Sequence, residues 1–368
     1  MLLLQPEADI RLGRLINNYQ FIQSKIGSAK VMAVVKADAY GHGVVPISKS
    51  LSEAGIHGFC VALVSEIREL IQADIQNPIL HLGRVTSNEL DVYDSGQVRC
   101  TINSSEDIQS LEEHARQNSI QIMAHIKIDT GMGRLGIHYE DVDSIIDKLT
   151  ESQYIVVEGV FSHFSTAEEK DTKYRDWQIK RFQKVVVRAK INLPNVEYFH
   201  MANSAALLTC PEAHFNMVRP GISLYGVTPL GKPYDGLLPV MRMKAPVVFI
   251  KEYNAGESVG YNRQYITEQN ECIAIVQAGY ADGIPTEFSN NGEVEIEGIR
   301  YPIVGKVSMD LVAIRCRNMD IKIGQEAIFW GSDNKDLRLE TLAGKYEKIP
   351  YEFLTSVTKR VKRNFIYE

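Results

Sequence analysis

Eight short apolar runs in the first 220 residues constrain the fold of this chain more than any other feature. They lie at 31–36, 58–63, 78–83, 97–102, 121–129, 155–164, 196–201 and 215–219. Amphipathic stretches between them predict helices, the clearest at 65–73, 104–118 and 170–190. Repeated strand–helix units build parallel sheets, and eight units within about 230 residues favour a closed (β/α)8 barrel over an open doubly wound sheet.

The pattern changes after Gly226, where the chain becomes rich in β-type sequence. Short strands are predicted at 246–253, 272–278, 293–297, 301–304, 313–315 and 327–330. The pair Glu297-Gly298 stands between two alternating runs and predicts a hairpin turn. A single helix is expected at 339–357, so this part of the chain is mainly β.

Length and charge limit the class of protein. A chain of 368 residues is too long for one ordinary core, so we expect two domains. The barrel domain is placed at 10–230, and the mainly β domain at 231–368 together with residues 1–9. The net charge is −6 with both signs interspersed, which argues against a nucleic acid or an anionic membrane as partner.

The cysteines, histidines and N-terminus give further exclusions. Five cysteines are widely spaced without a CxxC pair, which indicates reduced thiols. Nine histidines show no metal-ligand spacing, so no metal site is expected. The N-terminus carries neither a signal peptide nor a membrane anchor pattern, and we expect a cytoplasmic protein.

A lysine stands where the first predicted strand ends. Lys36 follows the apolar run Val31–Val35, which is typical of a strand buried on both faces. Lysine is seldom fully buried, and a desolvated lysine becomes an amine nucleophile that can form a Schiff base with a carbonyl. A lysine that only caps the strand and reaches solvent fits this segment equally well.

Other unusual polar residues also follow predicted strands. Arg134 lies in a glycine-rich loop after the fifth strand, and His163 ends the sixth. Asn203-Ser204 begins a helix after the seventh strand, and a serine at a helix N-terminus is typical of phosphate sites. Arg219 ends the eighth strand, and Gly221-Ile222 can add backbone N–H donors to the same phosphate.

Each of these residues has a simpler explanation when it is taken alone. A lone histidine is more often part of a core, a lone arginine forms a surface ion pair, and Asn-Ser is often only a helix cap. In a barrel, however, the C-terminal strand ends meet at one face, where the active site lies. A Schiff-base lysine beside a phosphate site indicates pyridoxal phosphate.

Eight segments, in this order along the chain, resemble those of the alanine racemases, which are fold-type III pyridoxal-phosphate enzymes. They are AVVKADAYGHG (33–43), KIDTGMGRLG (127–136), FSHFSTAEE (161–169), HMANSAA (200–206), VRPGISLYG (218–226), VGYNRQY (259–265), QAGYADGIP (277–285) and VGKVSMD (304–310). The resemblance implies a homodimer with shared active sites that interconverts L- and D-alanine. It also implies a supply of D-alanine for peptidoglycan.

The resemblance implies a role for each matching position. Lys36 resembles the Schiff-base lysine, and Tyr261 resembles a catalytic tyrosine that reaches in from the partner subunit. These two residues are expected to act as bases on opposite faces of the substrate. The cofactor contacts implied are Lys36, Tyr40, His163, Asn203, Ser204, Arg219, Gly221 and Ile222.

Arg219 resembles the arginine that faces the pyridine nitrogen of the cofactor, and the family pattern links His163 by hydrogen bonds to Arg219 and Tyr261. A guanidinium there discourages protonation of the ring, which should limit transamination. The remaining implied roles concern substrate and access. Arg134 and Met309 resemble residues that bind the substrate carboxylate. Lys127 resembles a lysine that is carbamylated and pairs with Arg134. Asp310 and Tyr280 resemble residues at the rim and access channel of the site.

Three positions depart from the family pattern. Lys306 stands where many members have arginine, Ser308 where some have cysteine, and Lys359 where some have a phosphate-binding tyrosine. A racemase of serine or another small amino acid remains an alternative. Arg219 argues against a barrel-type decarboxylase, which usually has a carboxylate at the pyridine nitrogen. A cofactor carrier would not need the second domain, and a binding module gives the polar residues no reason to converge.

Overall fold

The computed structural model describes residues 5–316 and 321–367. The chain divides into two compact units. One, here called the barrel unit, holds residues 19–39 and 44–224. The other, the β unit, holds 40–43, the residues from Tyr225 onward and the N-terminal residues up to Asn18.

The barrel unit contains the expected eight parallel strands. Their bounds are Lys30–Val34, Gly58–Val61, Ile79–His81, Val98–Ile102, Ile122–Asp129, Ile155–Phe161, Tyr198–His200 and Met217–Val218. Each strand pairs in parallel with its neighbours along the chain. The eighth strand also pairs with the first, so the sheet closes and the predicted (β/α)8 barrel is confirmed. A short strand, Ile137–His138, extends the end of the fifth.

Helices accompany these strands along the chain. They are Leu12–Ile26, Lys36–Gly41, Val44–Glu53, Val64–Gln72, Ser105–Asn118, Val142–Glu151, Lys173–Asn192 and Ser204–Thr209, with 3-10 turns at Leu90–Tyr93 and Pro211–Ala213. Ser104 caps its helix by accepting a hydrogen bond from the Asp107 N–H at 3.3 Å. Among the residues described, no helix combines the length and apolarity that a membrane crossing requires.

The β unit is built around a closed ring of six antiparallel strands. The ring consists of Met241–Tyr253, Glu271–Val276, Val312–Cys316, Ile299–Val304, Glu293–Ile296 and Glu326–Trp330. The long strand Met241–Tyr253 pairs with Glu326–Trp330 through its first half and with Glu271–Val276 through its second half, which closes the ring. Glu297 and Gly298 form the predicted hairpin turn, with φ of 49° and 82° as primed turns require.

The remaining elements of the β unit are short. Strand Glu7–Arg11 pairs with the long strand of the ring on one side. A small hairpin joins Ser258–Val259 to Tyr265–Ile266. The 3-10 turns are Tyr261–Arg263, Tyr280–Asp282, Thr286–Phe288 and Lys335–Leu337.

The end of the chain corrects the sequence prediction. The single helix expected at 339–357 is two helices, Leu339–Lys345 and Pro350–Thr355. Pro350 has no N–H and cannot continue a helix, but it fits the first turn of a new one. A final strand, Lys362–Ile366, was not predicted because its charged sequence hides the pattern; it pairs in parallel with Glu7–Arg11.

Candidate active site

Lys36 lies at the start of a left-handed turn. The first barrel strand ends at Val34 rather than at Lys36 as predicted, and φ for Ala37–Tyr40 is between 52° and 54°. A left-handed helix of L-residues costs roughly 1–2 kcal/mol per residue, so the surrounding structure has to hold this turn in place. The Asp38 carboxylate accepts a hydrogen bond of 2.7 Å from the Val44 N–H and closes part of it.

Glu66 holds the beginning of the same turn. One of its carboxylate oxygens accepts a hydrogen bond of 2.6 Å from the Ala37 N–H, directly after Lys36. The other oxygen accepts from the N–H groups of Ala62 and Leu63, at 2.8 and 3.1 Å. Sequence analysis missed this residue. Its role could have been inferred from its place as the third residue of helix Val64–Gln72, where an acidic side chain binds free backbone N–H groups.

Replacing Glu66 with alanine is expected to destabilise the fold by about 1–3 kcal/mol, because a strained turn loses its hydrogen-bond acceptor. Cofactor should also dissociate faster from the variant, since Lys36 loses its fixed position. Chemical denaturation and the visible spectrum of the bound cofactor measure the two effects. Glu69→Ala, an exposed position on the same helix, is the control, and equal effects of the two variants would contradict the role of Glu66.

His163 lies among four cationic side chains. Loss of solvent, and then the positive charges of Arg219, Arg134, Lys127 and Lys36, lower the pKa of His163 to about 3. The imidazole is therefore neutral at physiological pH. The residues that the sequence placed at the ends of the first, fifth, sixth and eighth strands are thus brought together in one electrostatic cluster, here called the cation cluster.

Lys127 is the most perturbed lysine of the cation cluster. It is 7% exposed, and burial together with the charges of Arg134 and Arg219 lowers its pKa to about 8. Asp129 opposes this effect. A substantial fraction of the Lys127 amine is consequently uncharged, and hence nucleophilic, near neutral pH.

Arg219 is buried and held in a fixed orientation. Its Nη2 donates to the Ser162 carbonyl at 2.7 Å, and its Nη1 donates to the His200 carbonyl at 3.1 Å and lies 2.5 Å from His200 Nδ1. The guanidinium also lies over the Phe161 ring. Burial lowers the pKa of Arg219 to about 10, so it remains charged. The hydrogen bond expected between His163 and Arg219 is absent from the described residues, and His200 takes that place.

His200 begins a buried series of hydrogen bonds inside the barrel. His200 Nε2 lies 2.8 Å from His125 Nδ1, and His125 Nε2 lies 3.8 Å from a Glu158 oxygen, which also accepts from Arg99 Nε at 2.7 Å. A guanidinium can only donate, so His200 Nδ1 accepts from Arg219 and each histidine carries its proton on Nε2. We call this series the histidine relay.

The charges of the histidine relay are fixed by burial. Loss of solvent lowers the pKa of both His125 and His200, so both are neutral. Burial alone would raise the pKa of Glu158, but hydrogen bonds from His125 and Arg99 lower it to about 2. An anion therefore stands at the far end of the relay from Arg219. Sequence analysis missed these residues because each lies inside one of the predicted strands, 97–102, 121–129, 155–164 and 196–201.

Two of the predicted phosphate residues, Ser204 and Gly221, meet at one buried hydroxyl. Ser204 Oγ accepts from the N–H groups of Gly221 and Ser223, at 3.0 and 3.2 Å, and lies 3.0 Å from Ser223 Oγ. Asn203 caps the helix that begins at Ser204. Ile222, which lies between Gly221 and Ser223 in the sequence, is fully buried. The structure adds Ser223, which the sequence analysis did not assign.

Tyr40 belongs to an aromatic cluster of the β unit. Its ring centroid lies 5.2 Å from that of Tyr225 and 5.8 Å from that of Tyr351. Tyr351 was not singled out from the sequence, although it stands eight residues before Lys359, whose role was left open. Lys359 is exposed, whereas Tyr351 is partly buried.

The residues predicted to serve a partner subunit are exposed on the β unit. Tyr261 is 68% exposed, Met309 51% and Tyr280 46%. Backbone hydrogen bonds of 3.0 and 3.1 Å join the segment at Tyr280 to the segment at Met309. Asp310 is fixed beside them by Arg360, whose Nη2 donates to its carboxylate at 2.7 Å.

Comparison with known proteins supplies the family. Residues 10–229 match the alanine racemase N-terminal domain, and residues 240–365 match the alanine racemase C-terminal domain. A relative from Caldanaerobacter subterraneus named alanine racemase 2 is 36% identical, covering 98% of this chain and 94% of the relative. Another, alanine racemase 1 from Clostridium acetobutylicum, is 36% identical over 98% and 95%.

Solved structures agree with these relatives. The alanine racemase from D-cycloserine-producing Streptomyces lavendulae has a TM-score of 0.94 at 30% identity, covering 100% of this chain and 98% of that one. The Bartonella henselae alanine racemase, with covalently bound pyridoxal phosphate, has a TM-score of 0.88 at 30% identity over 98% and 99%. This chain therefore belongs to the alanine racemases, a family of pyridoxal-phosphate-dependent isomerases.

Proposed function

We propose that this chain interconverts L- and D-alanine by a two-base mechanism, with Lys36 of one protomer and Tyr261 of its partner as the bases. The observation that carries this proposal is that Lys36, Lys127, Arg134, His163 and Arg219 all lie at or just after the carboxyl ends of strands in one closed barrel. The direct test is incubation with L-alanine and, separately, with L-serine, followed by chiral analysis. D-alanine should form much faster than D-serine, and no D-product from either would reject the proposal.

The residues present fit pyridoxal phosphate. The cation cluster carries several positive charges, and its nearby carboxylate, Asp129, already accepts hydrogen bonds from the backbone N–H groups of residues 131–133. An anionic ligand is therefore favoured. Within the described residues, the amine of Lys36 takes part in no hydrogen bond or ion pair and is available to a carbonyl carbon.

The proposed cofactor ligands follow from this arrangement. Lys36 would hold the cofactor through its aldehyde, and Tyr40, Asn203, Ser204, Gly221 and Ile222 would hold its phosphate. When it is bound, pyridoxal phosphate withdraws electrons from the α-carbon of an attached amino acid and so acidifies its α-proton. Arg219 would hold the pyridine nitrogen of the cofactor as a hydrogen-bond donor, because it remains charged and keeps its proton.

Substrate is held by groups that recognise a carboxylate. We assign this role to Arg134 and to the backbone N–H of Met309 of the partner subunit. His163, which is neutral because a charged imidazole would be repelled by the cation cluster, would contact the ring of the cofactor. Asp310 and Tyr280 of the partner subunit line the approach to the site.

Proton transfer needs a base on each face of the substrate. One base removes the α-proton, and the other returns a proton to the opposite face, which inverts the configuration. Lys36 would serve one face, with its amine holding or releasing the proton there. Tyr261 of the partner subunit serves the other face.

The second domain, which we place at 231–368 with residues 1–9, completes the partner's site under this proposal. Tyr261, Met309 and Tyr280 are exposed on the β unit, as expected of residues that a partner covers. We further infer that the homodimer acts in the cytoplasm and supplies D-alanine for peptidoglycan. A D-alanine requirement in a strain that lacks this chain tests the last role.

Mixed dimers test the shared site directly. Lys36→Ala and Tyr261→Phe homodimers should each be nearly inactive, but a heterodimer of the two contains one site with both bases. Equal mixing and subunit exchange should therefore restore about a quarter of the activity of the unmodified dimer. No recovery, with exchange confirmed by mass spectrometry, would contradict a site built from two protomers.

We also propose that Lys127 carries a carbamate. Its amine adds to carbon dioxide and releases a proton, and the resulting anion is a partner for Arg134. Only the uncharged amine reacts, so carbamylation should decrease as the pH falls below about 8, the pKa of Lys127. A carbamate signal in carbon-13 spectra after labelling with bicarbonate measures this. The signal should be missing in Lys127→Ala, and a signal that persists there would contradict the assignment.

A further inference from the structure

One face of helix Lys173–Asn192 is directed at the loops that carry Arg134 and His163. Tyr174, Gln178 and Arg181 are spaced at i, i+4 and i+7, so they lie on the same side of the helix. All three donate hydrogen bonds to the loop that follows the fifth barrel strand. None of them was assigned a role from the sequence.

Gln178 makes the most side-chain hydrogen bonds of the three. It is fully buried, and its amide makes all four of the hydrogen bonds that it can form. Its Nε2 donates to Thr130 Oγ1 at 3.3 Å and to the His163 carbonyl at 3.2 Å, and its Oε1 accepts from Ser165 N and Oγ at 3.2 and 3.3 Å. One side chain therefore joins the loop of Arg134 to the segment of His163.

Arg181 and Tyr174 fix the backbone of the Arg134 loop. Arg181 Nη1 donates to the Thr130 carbonyl at 3.1 Å, and Tyr174 donates from its hydroxyl to the Gly131 carbonyl at 2.9 Å. The guanidinium of Arg181 is itself packed against the rings of Tyr139 and Trp177. The Asp129 carboxylate accepts hydrogen bonds from the backbone N–H groups of residues 131–133. With these contacts, most backbone carbonyl and N–H groups of residues 130–133 have a hydrogen-bond partner.

We propose that Gln178, supported by Arg181 and Tyr174, is a positioning residue that sets the location of Arg134 relative to His163. The inference rests on the proposed function, in which Arg134 binds the substrate carboxylate. Buried polar side chains with complete hydrogen bonding fix one arrangement of the groups around them. Without Gln178, the Arg134 loop is expected to sample several positions, and the carboxylate loses a preorganised partner.

The test compares two glutamines on the same helix in the cofactor-loaded enzyme. Gln178→Met keeps side-chain volume but removes every hydrogen bond, whereas Gln183→Met changes an exposed position. The probe is propionate, which has the carboxylate and methyl groups of alanine but no amine. Gln178→Met should weaken propionate inhibition and raise KM by about tenfold, with kcat changed less than KM. Gln183→Met should change neither.

Arg134→Lys separates the inference from the proposal beneath it. If Arg134→Lys weakens propionate but Gln178→Met does not, the positioning role is overturned while the role of Arg134 stands. If Arg134→Lys leaves propionate affinity unchanged, Arg134 does not bind the carboxylate. The positioning role of Gln178 is then wrong as well. Combining the two substitutions should weaken propionate by less than the product of the single effects, because both act on one interaction. Multiplicative effects would overturn the coupling.

Tyr174→Phe keeps the inference testable if Gln178→Met does not fold. It removes a single hydrogen bond from an exposed hydroxyl and leaves the ring in place. A smaller change in the same direction, about two- to fivefold in propionate inhibition, is expected. Unchanged inhibition, with unfolding temperature also unchanged, would overturn the contribution of this helix face.

Discussion

Replacing Lys36 with alanine is expected to abolish racemisation and to leave the cofactor unattached to the chain. Under the proposed function, Lys36 supplies both the covalent attachment and one of the two bases, so the loss of activity should be about 10⁴-fold or more. Reduction with borohydride followed by mass spectrometry measures the attachment. The unmodified chain should gain the mass of the reduced cofactor, and the variant should not.

Lys49→Ala, on the exposed face of helix Val44–Glu53, is the matched control for this experiment. It should retain both the covalent mass and the activity. A mass gain that persists in Lys36→Ala would show that another lysine anchors the cofactor. Lys127 would then be the first alternative, because its lowered pKa already makes it nucleophilic.

The second large effect is expected from Tyr261→Phe. Removing the phenol should slow racemisation by about 10²–10⁴-fold while leaving the cofactor attached, because Lys36 is untouched. One face of the substrate keeps its base. In deuterated water, one enantiomer of alanine should therefore still exchange its α-proton, whereas conversion to the other enantiomer nearly stops. Proton NMR and chiral chromatography measure the two rates separately.

Tyr265→Phe provides the control, since this tyrosine lies in the same segment but donates its hydroxyl to Glu271. It should not separate proton exchange from racemisation. If Tyr261→Phe instead slowed exchange of both enantiomers equally, or released the cofactor, the tyrosine would not be a base on one face. The two-base mechanism would then need another residue.

Much of the fold could be predicted because barrel strands that are buried on both faces consist mainly of apolar residues. Parallel strands with both faces covered are near-continuous apolar runs, and Val31–Val34 shows this directly. The final strand Lys362–Ile366 could not be found in the same way, since its partner Glu7–Arg11 lies at the other end of the chain. The break at Pro350 could have been predicted from the sequence, because proline cannot continue a helix.

The candidate site could be predicted only for polar residues that lie at or just after the ends of strands. Residues such as Arg134, His163 and Arg219 stand out because polar groups there have no role in strand packing. Gln178 and His200 act through contacts that depend on tertiary structure and have no local pattern. The left-handed turn after Lys36 was equally hidden, because Ala37 and Ala39 are ordinary helix formers and only their surroundings enforce positive φ.

The histidine relay has a direction, and that direction makes it sensitive to acid in a specific way. Both imidazole N–H groups in it point away from Arg219, so adding one proton to His200 would set two donors face to face. The guanidinium would then lose a partner and its fixed angle. Because burial keeps the pKa of His200 well below 6.5, the seating of Arg219 should survive mild acidification. The buried imidazoles of His125 and His200 should therefore set the acid tolerance of the barrel interior.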